Sequence, residues 1–276
     1  MLRRTLFNGL TLLAVLLLSS TVVAQSTLVE ALRPGVTLQL AEHRKSVLSR
    51  LSYDLSFDLP ASPDHSIPAS AIIEFDLFDS EEPLVLDFRE SAEKIGAVEV
   101  NGQSSDYRFE SEHLVIPEGE LRPGQNRISV QFTAGDSSLN RNPEFLYTLF
   151  VPDRARTAFP LFDQPNLKAR YTLTLTMPAD WVAIANAPLQ QLEALGERKR
   201  LRFAPTELIS SYLFSFVAGR FQRETRQING RQMTMLHRES DREKVARNLD
   251  AIFDLHGAAL SWLEEYTAID YPFQKF

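Results

Sequence analysis

The 276-residue sequence has no cysteine, which excludes disulfides, thiolate nucleophiles, thiolate metal sites and lipoprotein processing. An oxidising compartment is permitted but not exploited. Glycine is sparse, with 11 residues, and none falls in the spacing of a phosphate-cradling or dinucleotide-binding loop. A G-x-S-x-G nucleophile elbow and an HExxH zinc motif are both missing. There is no low-complexity run and no repeat at solenoid spacing.

Long apolar runs are missing too, apart from Leu10–Leu18 near the start. That run is too short for a bilayer span, which needs about 20 apolar residues. It follows Arg3 and Arg4 and precedes Ser19, Ser20 and Thr21, the layout of a secretory signal, and Val22-Val23-Ala24 offers a small residue for cleavage. A signal peptide over 1–24 is therefore expected, with an exported product, periplasmic or secreted. The alternative, a retained anchor, lacks a flanking charge cluster. Cleavage after Ala24 leaves 27 basic against 36 acidic side chains on 252 residues, a net charge near −9. Such a balance disfavours a nucleic-acid partner, since phosphate binding needs a basic face.

What is present is mostly β pattern. Leu51, Tyr53, Leu55, Phe57 and Leu59 alternate with Ser or Asp, the period of a half-buried strand. After Pro60, Pro63 and Pro68 a second alternating run carries Ile73, Phe75 and Leu77. Further strands are expected at 84–88, 97–100, 113–116, 127–132, 171–177, 181–185, 200–203 and 212–218. Asn101-Gly102 suits a tight hairpin turn, because both accept positive φ. The expected fold is mainly β, an N-terminal domain of saddle or sandwich sheets.

The character changes near Arg220. One more strand, 232–236, precedes Ser240-Asp241-Arg242-Glu243, a capping box in which the serine would satisfy a free helix N–H. Val245, Leu249, Ile252, Phe253, Ala259, Leu260 and Leu263 then recur at helical spacing, predicting an amphipathic helix to about Tyr266. Its apolar stripe needs a core, and the sequence implies a chain that stops inside a second domain. The alternative is a helix folded back on the β domain.

Side chains able to do chemistry are dispersed. Among His43, His65, His113, His237 and His256, no pair has the i+3 or i+4 spacing of a helical zinc site. His43, in the charged stretch Ala41-Glu42-His43-Arg44, reads as a solvated surface residue, His256 as a boundary residue and His237 as structural. Glu81-Glu82 and Glu264-Glu265 are adjacent acids that point in different directions and read as surface charge. Two facing carboxylates for glycosidase chemistry would be a three-dimensional matter, which nothing here favours. The segment that stands out is Phe159-Pro160-Leu161-Phe162-Asp163-Gln164-Pro165. Its prolines fix backbone φ and its phenylalanines invite burial, so on physical grounds it is a rigid structural corner.

This segment, continued through Lys168-Ala169, resembles the F-P-C-F-D-E-P-x-x-K-A signature of the aminopeptidase N-type zinc peptidases, the gluzincin family. Arg50–Leu55, Leu173–Pro188, Tyr212–Gly219 and Tyr271-Pro272-Phe273-Gln274-Lys275-Phe276 resemble other family segments in the same order. The resemblance implies three parts: a signal peptide over 1–24, an N-terminal β domain over 25–222, and over 223–276 the first strand and helix of a truncated, thermolysin-like α/β catalytic domain. The family's G-x-M-E-N and HExxH motifs follow the Y-P-F-x-K segment and have no counterpart here, so no catalytic or metal-ligating residue is assigned. Zinc and peptide substrates are implied for a complete member only, and this chain is expected to be inactive. Leu161 and Gln164 replace the family's usual cysteine and glutamate. Thr148-Leu149-Phe150-Val151-Pro152 stands where the family has T-Q-F-E-P, whose Glu or Gln helps to anchor the substrate amine. Val151 cannot accept that hydrogen bond, and the resemblance leaves it a cleft-lining substrate position. A different class of reading is an exported, non-catalytic binding or scaffold module.

Overall fold

The computed structural model describes residues 32–79 and 81–273. The expected signal peptide over 1–24 and the end of the Tyr271–Phe276 segment lie outside these residues. In chain order the elements are α1 (Leu38–Val47), β1 (Leu48–Asp58), β2 (Pro68–Leu77), β3 (Leu84–Asp87), β4 (Ile95–Val100), β5 (Gln103–Ser104), β6 (Arg108–Glu110), β7 (His113–Ile116) and β8 (Gly124–Thr133). They continue with β9 (Leu139–Arg141), β10 (Phe145–Thr148), β11 (Arg170–Pro178), β12 (Val182–Ala185), β13 (Leu189–Leu195), β14 (Arg198–Phe203), β15 (Phe216–Gly219), β16 (Gln222–Ile228), β17 (Arg231–His237) and α2 (Arg242–Thr267). The chain is mainly β, as its alternating pattern implies.

An eight-stranded sheet in the order β13-β14-β11-β1-β2-β8-β4-β5 forms the frame. β1 lies inside it, antiparallel to β2 and parallel to β11, with Ser52 facing Arg170 and Asp58 facing Thr176. Tyr53, Leu55 and Phe57 of β1 are buried, while Ser52, Asp54, Ser56 and Asp58 look outward. Against the apolar face lie a four-stranded sheet, β12-β15-β10-β9, and a three-stranded sheet, β3-β7-β6. Leu86, Phe88 and Leu114 from one, and Leu146, Phe216 and Ala218 from the other, join Leu55, Phe57 and Leu175 in a single core. The Asn101-Gly102 turn joins β4 to β5, with φ of 53° and 83°.

α2 does not fold back on this core. Leu249, Phe253 and Leu260 pack with Met233 in a separate apolar cluster that Ile228 and Met235 of the β16–β17 hairpin extend. The helix begins one residue later than a serine cap requires: Asp241, not Ser240, is the N-cap and accepts from Lys244 N at 3.0 Å. Asp is as good an acceptor at this position as Ser, and the charge also suits the helix N-terminus. The expected 212–218 strand is shorter too, since 211–213 form a 3₁₀ turn before β15.

Some elements have no clear sequence signal. α1 is capped by Thr37 Oγ1 but buries only Leu40 and Arg44, so it has no apolar stripe to read. His43 lies on this helix, half-buried rather than fully solvated, and burial lowers its basicity. β13 is exposed along its whole length, and β16 is largely polar.

Candidate functional site

The proline-bracketed segment is a buried keystone. Phe159, Leu161 and Phe162 are almost fully enclosed. Phe159 meets Tyr53 and Phe57 edge-on, with centroids 6.4 and 6.3 Å away. The backbone of Leu161 exchanges hydrogen bonds with that of Asp87, and Phe162 N donates to the Tyr53 hydroxyl at 3.0 Å. Burial raises the Tyr53 phenol well above its ordinary range, so it stays protonated. The segment thereby ties β1 to β3, as a rigid corner should.

Asp87 is the hub behind it. β3 is buried on both faces because Leu84 and Leu86 turn to the main core, while Val85 packs with Leu40 of α1, Leu32 and Val115. Asp87 closes that second face. Its two oxygens meet both terminal nitrogens of Arg44, at 2.7 and 2.8 Å, and one also receives Asp163 N at 2.8 Å. Arg44 further donates to Val85 O through Nε and Nη2 and lies 5.4 Å from the centre of the Phe162 ring. Opposite Asp87 on β7 sits His113. Its Nδ1 is 3.0 Å from Asp87 Oδ1, and its Nε2 is 3.0 Å from Arg33 O. Burial alone would push the Asp87 carboxyl up, but the Arg44 charge and the donors overcome it and hold it well below the usual carboxylate range.

Asp163 behaves in the opposite way. Ser211 Oγ donates to it at 2.6 Å and Arg156 N at 3.1 Å, yet among the described residues no cation contacts it directly, and burial raises its pKa above the ordinary value. Gln164 donates from Nε2 to Ala41 O at 3.0 Å and to Asn166 Oδ1, leaving its buried Oε1 without a partner. Arg44 and Gln164 together fasten α1 to the corner. Both oxygens of Asp87 and of Asp163 are engaged by donors, so the cluster holds geometry and offers no free acid or base.

Val151 sits elsewhere, on open surface just after β10. Exposure alternates from Phe145 to Val151, with Leu146, Thr148 and Phe150 buried. Tyr147, Leu149 and Val151 are 41%, 47% and 52% exposed and form an apolar strip.

The histidines stay apart. His113 belongs to the Asp87 hub, His65 is exposed, His256 contacts Ile252 O within α2, and His237 ends β17. Among the described residues no three His, Asp or Glu side chains converge to hold a metal ion, so these residues do not fit a zinc ion. No helix among them is long and apolar enough to cross a membrane. An open groove of about 510 Å³ on the polar face of the large sheet, lined by Ser56, Ser70, Gln131, Thr176 and Arg200, brings no such group together either.

Residues 49–213 match the Peptidase M1 N-terminal domain. The chain belongs to this family. It is similar to aminopeptidase N of Streptomyces lividans, 28% identical over 263 residues that cover 88% of this chain and 29% of that protein. Aminopeptidase M1 of Arabidopsis thaliana is 29% identical over 60% of the chain and 20% of its own length. Human glutamyl aminopeptidase is 31% identical over 45% of the chain and 13% of its own length. The chain thus spans under a third of these M1 relatives and corresponds to the N-terminal portion of an M1 aminopeptidase. The keystone corner lies inside the matched region, and it was the most specific part of the sequence resemblance. The Arg44 contribution begins before that region and was missed; Asp87, a carboxylate closing an otherwise apolar strand, was the available signal.

Proposed function

We propose that this chain supplies the N-terminal β domain and the first elements of the catalytic domain of an exported, zinc-dependent aminopeptidase, which removes amino-terminal residues from peptides by metal-assisted hydrolysis. The observation that carries the proposal is the family match over residues 49–213 together with the similarity to aminopeptidase N over 88% of the chain. In this reading 25–222 form the β domain and 223–276 open the catalytic domain. The separate cluster of α2 with β16–β17 supports that division. So does the opposite face of α2, where Leu255, Trp262 and Tyr266 are 68%, 59% and 75% exposed and await a packing partner. Export rests on the leader pattern of residues 1–24.

Zinc would polarise the scissile carbonyl and activate a water. None of the described residues is placed to bind it, so these residues alone are proposed to be inactive. Two measurements test the reading. Purified chain incubated with aminoacyl chromogenic substrates and zinc should show no turnover; chelator-sensitive turnover would refute the assignment of catalysis to residues beyond these. Reading the coding sequence in frame past codon 276 should reveal HExxH, whereas a stop codon there favours the non-catalytic module. Amino-terminal sequencing of the exported product should begin at Gln25.

A further inference from the structure

Asn-Gly occurs twice among the described residues, each time as the two-residue loop of a hairpin: Asn101-Gly102 between β4 and β5, and Asn229-Gly230 between β16 and β17. The two backbones match closely, with φ of 53° and 83° at the first turn and 50° and 78° at the second. A Cβ built on either glycine would meet nothing within 4 Å, so neither turn is crowded on its glycine side. This dipeptide is chemically prone to lose its side-chain amide. The glycine nitrogen attacks Asn Cγ and the new C–N bond closes a cyclic imide. The side-chain nitrogen leaves as ammonia, carrying the proton the glycine nitrogen gave up. Water then opens the ring at either carbonyl, giving aspartate or isoaspartate.

The two asparagine side chains are held very differently. Asn101 Nδ2 donates to Asn126 Oδ1 at 3.0 Å and to Glu120 O at 3.3 Å, while Asn101 Oδ1 accepts from Arg127 N at 3.1 Å. Asn126 is itself buried and fixed, accepting from Arg122 N and donating to Arg122 O and Gly124 O. Backbone groups therefore dictate how both amides are turned, and Asn101 Cγ cannot swing onto Gly102 N until three hydrogen bonds break. Asn229 is exposed, and among the described residues its amide makes a single hydrogen bond, from Nδ2 to Ser261 Oγ of α2 at 3.1 Å. Ser261 is exposed as well, so water competes for that bond.

We propose that Asn229 is a site of spontaneous deamidation in the folded protein, and that its tether to Asn126 protects Asn101 from the same reaction. An aspartate at 229 keeps its partner, because the Ser261 hydroxyl can donate to a carboxylate. Isoaspartate does not fit, since it routes the main chain through the former side-chain carbon and lengthens the tight loop. The adjoining Ile228 is the residue that meets α2 at Gly257, so the lengthened loop loosens the helix from its hairpin. The inference rests on the two turns alone and not on the aminopeptidase reading.

Peptide mapping by mass spectrometry, with fragmentation that separates isoaspartate from aspartate, follows both turns in one sample of the purified chain held in mildly alkaline buffer. While the chain is folded, Asn229 should lose its amide about tenfold or more faster than Asn101, because the additional hydrogen bonds at Asn101 must open first. In urea, where the two dipeptides are equally free, the rates should converge. Asn126→Ala should speed the reaction at Asn101 and leave Asn229 unchanged. Hydrogen exchange on the isoaspartate fraction should rise in α2 and β16–β17 and stay low in the large sheet. Equal folded rates, or a faster Asn101, overturn the proposal, as does an Asn126→Ala chain, folded by circular dichroism, in which Asn101 reacts no faster. Unchanged exchange in the isoaspartate fraction overturns the loosening of α2. If Asn126→Ala does not fold, the comparison of the two turns in the parent chain decides.

Discussion

Arg44 and Asp87 form an ion pair with no solvent exposure on either side chain, each terminal nitrogen of the guanidinium meeting a different carboxylate oxygen. The pair joins the helix that opens the described chain to the strand that carries the keystone corner. Removing one member of a buried pair leaves the other uncompensated, which costs about 3–5 kcal/mol. Arg44→Ala and Asp87→Ala should each lower stability by that amount in urea unfolding, without changing the m-value.

The same carboxylate sets an acid limit. Its pKa in the folded state lies below the ordinary value, so its stabilisation is fully present above the unfolded value of about 3.9 and is lost as pH falls toward the folded one. Melting temperature against pH should therefore drop below about pH 4 in the parent chain. Asp87→Asn, already destabilised at neutral pH, should show a shallower drop.

Asp163 titrates with the reverse sign. Burial raises its folded value, so the folded state takes up a proton before the unfolded state does, and stability gained on protonation disappears as pH rises through that folded value. Relative to Asp163→Asn, the parent should gain melting temperature on acidification from neutral pH toward about pH 4, the value near which the unfolded carboxyl titrates. A constant difference between the two across that range would contradict this assignment.

Gly257 is where α2 touches its hairpin. A Cβ built there would lie 2.2 Å from Ile228 Cγ2, closer than two carbons can approach. Alanine favours a helix over glycine by about 1 kcal/mol, but overpacking costs about 1–3 kcal/mol and at this separation should win. Gly257→Ala should raise hydrogen exchange in α2 and in β16–β17 while leaving the large sheet protected. Adding Ile228→Ala removes the obstructing methyl and should restore part of the protection.

Val151 offers the converse test, a change that spares the fold. At 52% exposure, Val151→Glu should alter stability by no more than about 0.5 kcal/mol. In a complete enzyme carrying this domain it should lower KM for substrates with a free amino terminus and leave acetylated ones unaffected.

The parts of the fold legible in the sequence are those in which burial has a period. β1, with apolar residues at every second position, and α2, with its stripe from Val245 to Leu263, are of this kind, and Asn101-Gly102 announces its turn through backbone freedom. α1 is not, because the side chain it buries most completely is an arginine, satisfied by a partner 43 positions away. β13 is invisible for a related reason: among the described residues nothing covers it, so its leucines follow no alternation. The corner at 159–165 was legible as a rigid structure, but its dependence on Asp87 was not, since Leu84–Asp87 reads simply as a short apolar strand. Val151 was recognisable only as a departure from a family pattern, because an exposed valine has no signal of its own.

The parallel pairing of β1 with β11 also governs when the molecule can form. Ser52 gains its neighbour on that side only when Arg170 arrives, so the central strand of the frame remains half-paired until the chain has been made through residue 170. Contacts this distant in sequence slow folding, because the intervening loop must close before they repay its entropy. If the chain is exported as proposed, slow pairing of this kind would lengthen the interval in which it stays unfolded enough to be threaded through a membrane.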